Sequence, residues 1–312
     1  MKHGLRLALF LVLLTFIVSA CANYQNPFQK KEKEEVGRGI KLSFASNTIP
    51  DVIYVGRNFP LSVVIENYGK SVSGELLIYD QIDGGIEVES IAVTLEEAGF
   101  VPDTLGRIRG KIVPDRKSYP DERMLAQYNE GDFFEGARAN IHAELKIDRY
   151  SFNEKFPLCI KEEDVQGVPC SNNEIETFSD MKNQFRDITY SPVTITRIEK
   201  TVTPLGDNEY FISLDITLEN VGGGEIINSE VGDDLTVKGN AISTPNVIFG
   251  SVSLECSPRY EVVFVNNKAV LNCAGTTVLG EGQEYVEKII EISYDYGYKM
   301  KIKKGPIPIV KR

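Results

Sequence analysis

The sequence predicts an all-β protein, with two β-sandwiches in tandem behind a removable leader and a polar tether. Three observations predict it. Several runs alternate apolar and polar residues with period two, the mark of an antiparallel strand with one buried face. A strand motif ending in Glu-Asn-x-Gly occurs twice, at residues 61–69 and 214–222. Helix signals are few. Residues 120–130, with Met124, Leu125 and Tyr128 on one side, and residues 177–185 read as short helices rather than scaffold elements.

In chain order, the leader comes first. Lys2 and Arg6 give a positive start, residues 7–18 are almost continuously apolar, and Ser19 and Ala20 supply small residues before Cys21. This is the pattern of a signal peptide over residues 1–20, with an apolar run shorter than the roughly 20 residues a membrane span needs. Val18-Ser19-Ala20-Cys21 resembles the lipobox of prokaryotic lipoproteins. The resemblance implies cleavage before Cys21 and a lipid on its sulfur, which places the mature chain at the extracytoplasmic face of a membrane. Residues 21–37 then form a polar stretch containing Lys30-Lys31-Glu32-Lys33-Glu34-Glu35. So little apolar surface cannot offset the entropy of ordering, and the stretch reads as a flexible tether.

The formal charge of the chain is -11, and loss of Lys2 and Arg6 with the leader leaves -13. Phosphate contact needs a basic face, so this balance argues against a nucleic-acid partner. Beyond Cys21 there are four cysteines, Cys159 with Cys170 and Cys256 with Cys273, an even number in an exported chain. Four cysteines allow three connectivities. The local one is favoured because each couple falls in a different predicted domain. A four-cysteine zinc site is disfavoured by the wide spacing and the absence of a C-x-x-C knuckle.

The repeat sets the domain plan. Residues 143–148 (Ala-Glu-Leu-Lys-Ile-Asp) parallel residues 290–295 (Ile-Glu-Ile-Ser-Tyr-Asp), at a similar distance behind each Glu-Asn-x-Gly motif. Two matches in the same order argue for an internal duplication. Domain 1 is placed at 38–175, a linker at 176–187, domain 2 at 188–305 and a C-terminal tail at 306–312. Other expected strands are 40–45, 75–79, 87–95 and 108–113 in the first unit. In the second they are 193–198, 247–255, 261–265 and 269–273. About seven short strands with Gly, Asn or Pro between them point to immunoglobulin-like sandwiches.

An apolar strand ending in Glu-Asn-x-Gly, after the approach Gly56-Arg57-Asn58-Phe59-Pro60, resembles adhesion-related (CARDB-like) Ig-like domains of prokaryotic cell surfaces. The stretches Leu254-Glu255-Cys256 and Leu271-Asn272-Cys273 are similar to archaeal lipoproteins that carry such domains in tandem. The likeness covers about a third of the chain. It implies a surface location and a structural or binding role, with no catalytic motif to carry over.

No G-x-S-x-G, H-E-x-x-H, P-loop or dinucleotide fingerprint is present, so no catalytic, cofactor or metal residues are assigned. His142 is the only histidine beyond His3. Its neighbours Ile141, Ala143, Leu145 and Ile147 form the apolar face, which leaves His142 on the wetter side as a solvated or lightly paired group. The acidic runs Glu96-Glu97, Glu162-Glu163-Asp164 and Asp233-Asp234 follow no calcium-loop pattern and read as solvated loops. Tyr294, Tyr296 and Tyr298 alternate and read as core or cross-strand pairs. Phe133 and Phe134, flanked by acids, form a candidate partner-binding tip or a plug at the end of a sandwich.

The leading functional reading is a lipid-anchored, non-enzymatic module that binds or scaffolds another envelope or surface protein. One alternative is a secreted hydrolase with an unrecognised carboxylate site, weakened by the absence of Trp from the chain. Another is a solute-binding lipoprotein of a transporter, weakened by the lack of strand–helix alternation.

Overall fold

The computed structural model describes residues 39–82, 86–102, 110–129, 136–162, 165–168, 170–177, 190–206, 208–227, 229–231, 235–237, 239–280 and 283–311. The expected leader, Cys21, the tether, Phe133, Phe134, Glu163, Asp164, Asp233, Asp234 and residues 178–185 lie outside them.

The described chain is all strand and loop. The first half holds β1 (Ile40–Phe44), β2 (Ile53–Tyr54), β3 (Phe59–Asn67), β4 (Val72–Asp80), β5 (Glu87–Leu95), β6 (Gly99–Pro102), β7 (Gly110–Val113), β8 (Asp115–Ala126) and β9 (Arg138–Lys161). Next come β10 (Asn173–Thr177), β11 (Val193–Gly206), β12 (Glu209–Asn220), β13 (Glu225–Ile227), β14 (Ser229–Val231) and β15 (Leu235–Val237). The chain ends with β16 (Ala241–Ser243), β17 (Asn246–Phe249), β18 (Val252–Ser257), β19 (Glu261–Val263), β20 (Lys268–Val278) and β21 (Tyr285–Val310).

β1, β3 and β8 form one antiparallel sheet. A second sheet runs β10-β11-β12-β20-β18-β17-β21-β9-β4-β5, with β13 and β2 also pairing β21. Leu61, Val63 and Ile65 of β3, and Leu76, Ile78, Ala143 and Leu145 of the large sheet, are buried in one apolar core, the layering of a β-sandwich. Across the layers Tyr128 Oη donates to Asp80 Oδ2 at 2.5 Å, and Tyr119 Oη donates to the Thr94 carbonyl at 3.0 Å.

The repeated motif makes the same connections twice. Asn67 is in register with Ile40, and Asn220 with Val193. Beyond each Asn the chain turns back on the neighbouring strand. Tyr68 N–H donates to the Gly39 carbonyl at 2.7 Å, and Val221 N–H to the Pro192 carbonyl at 2.8 Å. The Asn side chains hold the turn, Asn67 Nδ2 donating to Lys70 O and Asn220 Nδ2 to Gly224 O. At Gly69 an added Cβ would overlap Tyr150 Oη, and at Gly222 it would overlap Tyr298 Oη. A close hydroxyl, rather than backbone torsion, therefore requires glycine at both sites.

The halves are tied by β9 and β21, which pair antiparallel from Tyr285 opposite Lys161 to Pro308 opposite Arg138. At about 3.3 Å per residue, each of these strands has a contour of roughly 80 Å. At the middle of this ribbon stand Tyr150, Tyr294, Tyr296 and Tyr298, all at most 4% exposed. Tyr150 stacks on Tyr296 at 5.3 Å and Phe152 on Tyr294 at 4.5 Å. Their hydroxyls bind the entry to the second half. Tyr150 Oη donates to Tyr190 O, Tyr294 Oη donates to Val193 O, and Tyr296 Oη accepts the Val193 N–H. The alternating tyrosines are thus core residues whose polar tips satisfy otherwise buried backbone.

Several local expectations are corrected. The expected helix at 120–130 is absent over its described part, because β8 continues to Ala126 beside β3. Ala126 and Tyr128 are buried while Leu125 is 59% exposed, a period-two pattern in a stretch short enough to read as helical. The expected strand 247–255 is a hairpin, β17 and β18, broken at Gly250 with φ +63°. The tail placed at 306–312 continues β21 to Val310, because Ile307 and Ile309 are buried against the first half.

Candidate functional site

β9 begins by alternating strictly. Ala139, Ile141, Ala143, Leu145 and Ile147 are buried in the core, so Asn140, His142, Glu144 and Lys146 share the opposite face. Register brings matching residues alongside. His142 lies between Tyr79 of β4 and Lys303 of β21, and Glu144 lies between Leu77 and Lys301. Lys299 is opposite Lys146. The outer face of β4, β9 and β21 is therefore a three-strand patch of tyrosine, histidine, glutamate and lysines.

The solvated histidine expected here is not found. His142 is only 5% exposed. The Tyr79 ring stacks on the imidazole at a centroid separation of 5.2 Å. Lys301 Nζ stands 5.1 Å from the centroid of that same Tyr79 ring. Lys301 is on β21 and Tyr79 on β4, about 10 Å apart at two strand spacings, so the lysine crosses above β9 to get there. Long side chains that lie along a sheet and keep their charged heads in water bury what is beneath them.

Neither ring nitrogen of His142 has a hydrogen-bond partner, and neither does Oδ1 of Asn140, two residues away on the same face. Burial, then Lys301 and Lys303, push the imidazole below its ordinary pKa, while Asp80 pulls the other way. The neutral form is therefore favoured. Lys301 is raised by the Tyr79 phenol first and by Glu144 and Glu225 further off. Beneath the patch, Asp80 is fully engaged. It accepts from Tyr128 Oη at 2.5 Å, from Asn140 N–H at 3.0 Å and from Gln81 N–H at 2.6 Å. Burial and the Asp80 carboxylate raise the Tyr128 phenol well above its ordinary range. A buried hydrogen bond to a charged acceptor fixes this end of the sandwich.

The cysteines lie elsewhere. Cys159 is bonded to Cys170 and Cys256 to Cys273. Cys159 is on the part of β9 that pairs Glu287 of β21, and Lys200 of β11 donates to its carbonyl at 2.6 Å. Both bridges therefore staple the large sheet on the side of the second half. Cys256 and Cys273 are direct register partners on β18 and β20.

Among the described residues no group of three His, Cys, Asp or Glu side chains is arranged to hold a metal ion. Glu96 and Glu97 are tied locally, Glu96 N–H to Asp115 and the Glu97 carboxylate to Lys70. The residues missed by sequence reasoning are Tyr79, Asn140, Lys301 and Lys303. Their visible signal was the alternation Lys299, Lys301, Lys303 in an otherwise acidic chain.

The chain matches no protein-family model, and no curated protein matches it. No helix among the described residues is long and apolar enough to cross a membrane.

Proposed function

We propose that this chain is a non-enzymatic envelope module, held at the extracytoplasmic face of a membrane by a lipid on Cys21, and that it binds or scaffolds another surface protein. Its two sandwich halves act as immunoglobulin-like units joined by one β ribbon. The contact surface is the outer face of β4, β9 and β21.

One observation carries this reading. His142 is buried with both ring nitrogens unpartnered, on the outside of a sheet and stacked on Tyr79, whose ring also carries Lys301. A buried polar group left without a partner costs about 1–3 kcal/mol. A face shaped only for stability gains nothing by keeping one, whereas a face that receives a partner does. The same observation speaks against hydrolysis at this histidine, since a catalytic base needs a nucleophile and an orienting group within hydrogen-bond reach.

In-cell cross-linking from the anchored protein, with Cys21→Ser alongside, tests the reading. The expected result is one specific surface partner in the membrane fraction, with Cys21→Ser released to the soluble fraction. Continued membrane residence of Cys21→Ser overturns the anchor. Cross-links distributed over unrelated envelope proteins, with no specific adduct, overturn the binding role.

A further inference from the structure

We propose that His142, Lys301 and Lys303 form a site for a single carboxylate group of an acidic partner, closed in the free protein by Lys301 reaching across β9 to the Tyr79 ring that stacks on the imidazole. The inference rests on the binding role proposed above and names the chemistry of that contact.

Geometry supplies the donors. Lys303 of β21 is the register partner of His142, and Lys301 of the same strand reaches across β9 to the Tyr79 ring. Both lysines are exposed and keep their heads in water, while the imidazole below has two unpartnered nitrogens. Movement of Lys301 off the Tyr79 ring uncovers the histidine. A cation–π contact at an exposed site is weak, so this opening is cheap compared with the net stability of a domain. An incoming carboxylate then meets two ammonium groups and, on protonation, an imidazolium N–H.

The charges around the site favour a singly charged group over a phosphate dianion. From β4 the histidine meets Tyr79 and the Asp80 carboxylate. From β9 it has Asn140 and Glu144 as same-face neighbours. From β21 it meets Lys301 and Lys303. Two lysines set against these carboxylates leave little excess positive charge for a dianion.

Binding and protonation are linked. A bound carboxylate favours imidazolium and raises the lowered pKa of His142, so affinity increases as pH falls, by up to about tenfold for each unit of rise.

The test is NMR of the detergent-solubilised full chain labelled with ring-13C histidine. The chain holds two histidines, His3 and His142, so at most two Cε1 signals appear, and His142→Gln assigns them. The probes are a hexaglutamate peptide and inorganic phosphate at matched ionic strength. The peptide is expected to shift the His142 signal saturably and raise its apparent pKa. Lys303→Ala should weaken that response by about tenfold. Tyr79→Phe, which keeps the stacking but removes the phenol that holds Lys301, should tighten it roughly threefold, within what one net hydrogen bond contributes. An unmoved His142 pKa, an undiminished response in Lys303→Ala, or a response to phosphate alone overturns the proposal. A specific in-cell partner found together with an unresponsive His142 sinks the carboxylate site and leaves the binding role standing. A responsive His142 with no specific partner does the reverse.

Discussion

Tyr296 Oη and Ser191 Oγ lie 2.6 Å apart at full burial, where the long C-terminal strand meets the start of the second half. The same phenol accepts the Val193 N–H at 3.1 Å. One hydroxyl therefore satisfies two groups that have no access to water. Tyr296→Phe keeps the ring stack with Tyr150 but orphans the buried Val193 N–H. The expected loss is about 1–3 kcal/mol of stability for leaving a buried group unsatisfied. Chemical denaturation of the variant measures it, and an unchanged midpoint would refute the role given to this hydroxyl.

Alkaline pH should unfold the protein through the same residues. Burial raises Tyr294 and Tyr296 well above the ordinary value of 10.0, and it raises Tyr150 as well. A folded-state pKa above the unfolded one means that the folded protein holds its protons longer. That stability is fully present below pH 10 and falls as pH rises beyond it, because only the unfolded chain releases the protons. Denaturation midpoints measured from neutral pH upward should hold steady and then drop above about pH 10. Tyrosinate absorbance should rise together with unfolding for these residues. Their ionisation in the folded protein would contradict their burial.

The duplicated turns make a paired prediction. Gly69→Ala meets Tyr150 Oη and the Tyr190 carbonyl, and Gly222→Ala meets Tyr298 Oη and Pro192. Each should cost about 1–3 kcal/mol, the usual range for overpacking a tight site. Gly99→Ala, whose Cβ has only one neighbour at 3.9 Å, should cost much less. Thermal unfolding of the three variants compares them directly. A mild Gly222→Ala beside a severe Gly69→Ala would break the equivalence of the two motifs.

Much of this was legible in the sequence because it is local. Period-two runs give β3, β12 and the start of β9, and the Glu-Asn-x-Gly turns are set by residues three or four apart. Pairing partners are a different matter. Nothing in residues 138–161 or 285–310 says that they run beside each other from end to end, since any strand edge offers the same backbone groups. The burial of His142 was hidden for the same reason. It depends on Tyr79 of β4, which stacks on the imidazole and carries Lys301 of β21 on its ring, and both strands come alongside β9 only through pairing. The misread segment at 120–130 fails differently. Over so short a stretch, Met124, Leu125 and Tyr128 fit one helical face while Met124, Ala126 and Tyr128 fit one strand face, and pairing with β3 decides between them.

Each disulfide closes a short loop, with sequence separations of 11 and 17. In the chain-entropy model such a bridge contributes about 3 kcal/mol. The paired change Cys256→Ser with Cys273→Ser should therefore lower the denaturation midpoint by a corresponding amount. Peptide mapping without reductant should recover Cys159 linked to Cys170 in that variant. Crossed or free thiols in the unaltered protein would contradict the assignment.

The proposed contact joins the outer face of β4, β9 and β21 to a surface partner. Leu77 is 37% exposed on that face, and Val270 is 62% exposed on β20 in the second half. A photo-reactive residue placed at each position in turn, in the anchored protein in cells, separates the two surfaces. One specific adduct is expected from Leu77 and none from Val270. Equal adducts from both positions, or an adduct from Val270 alone, would contradict it.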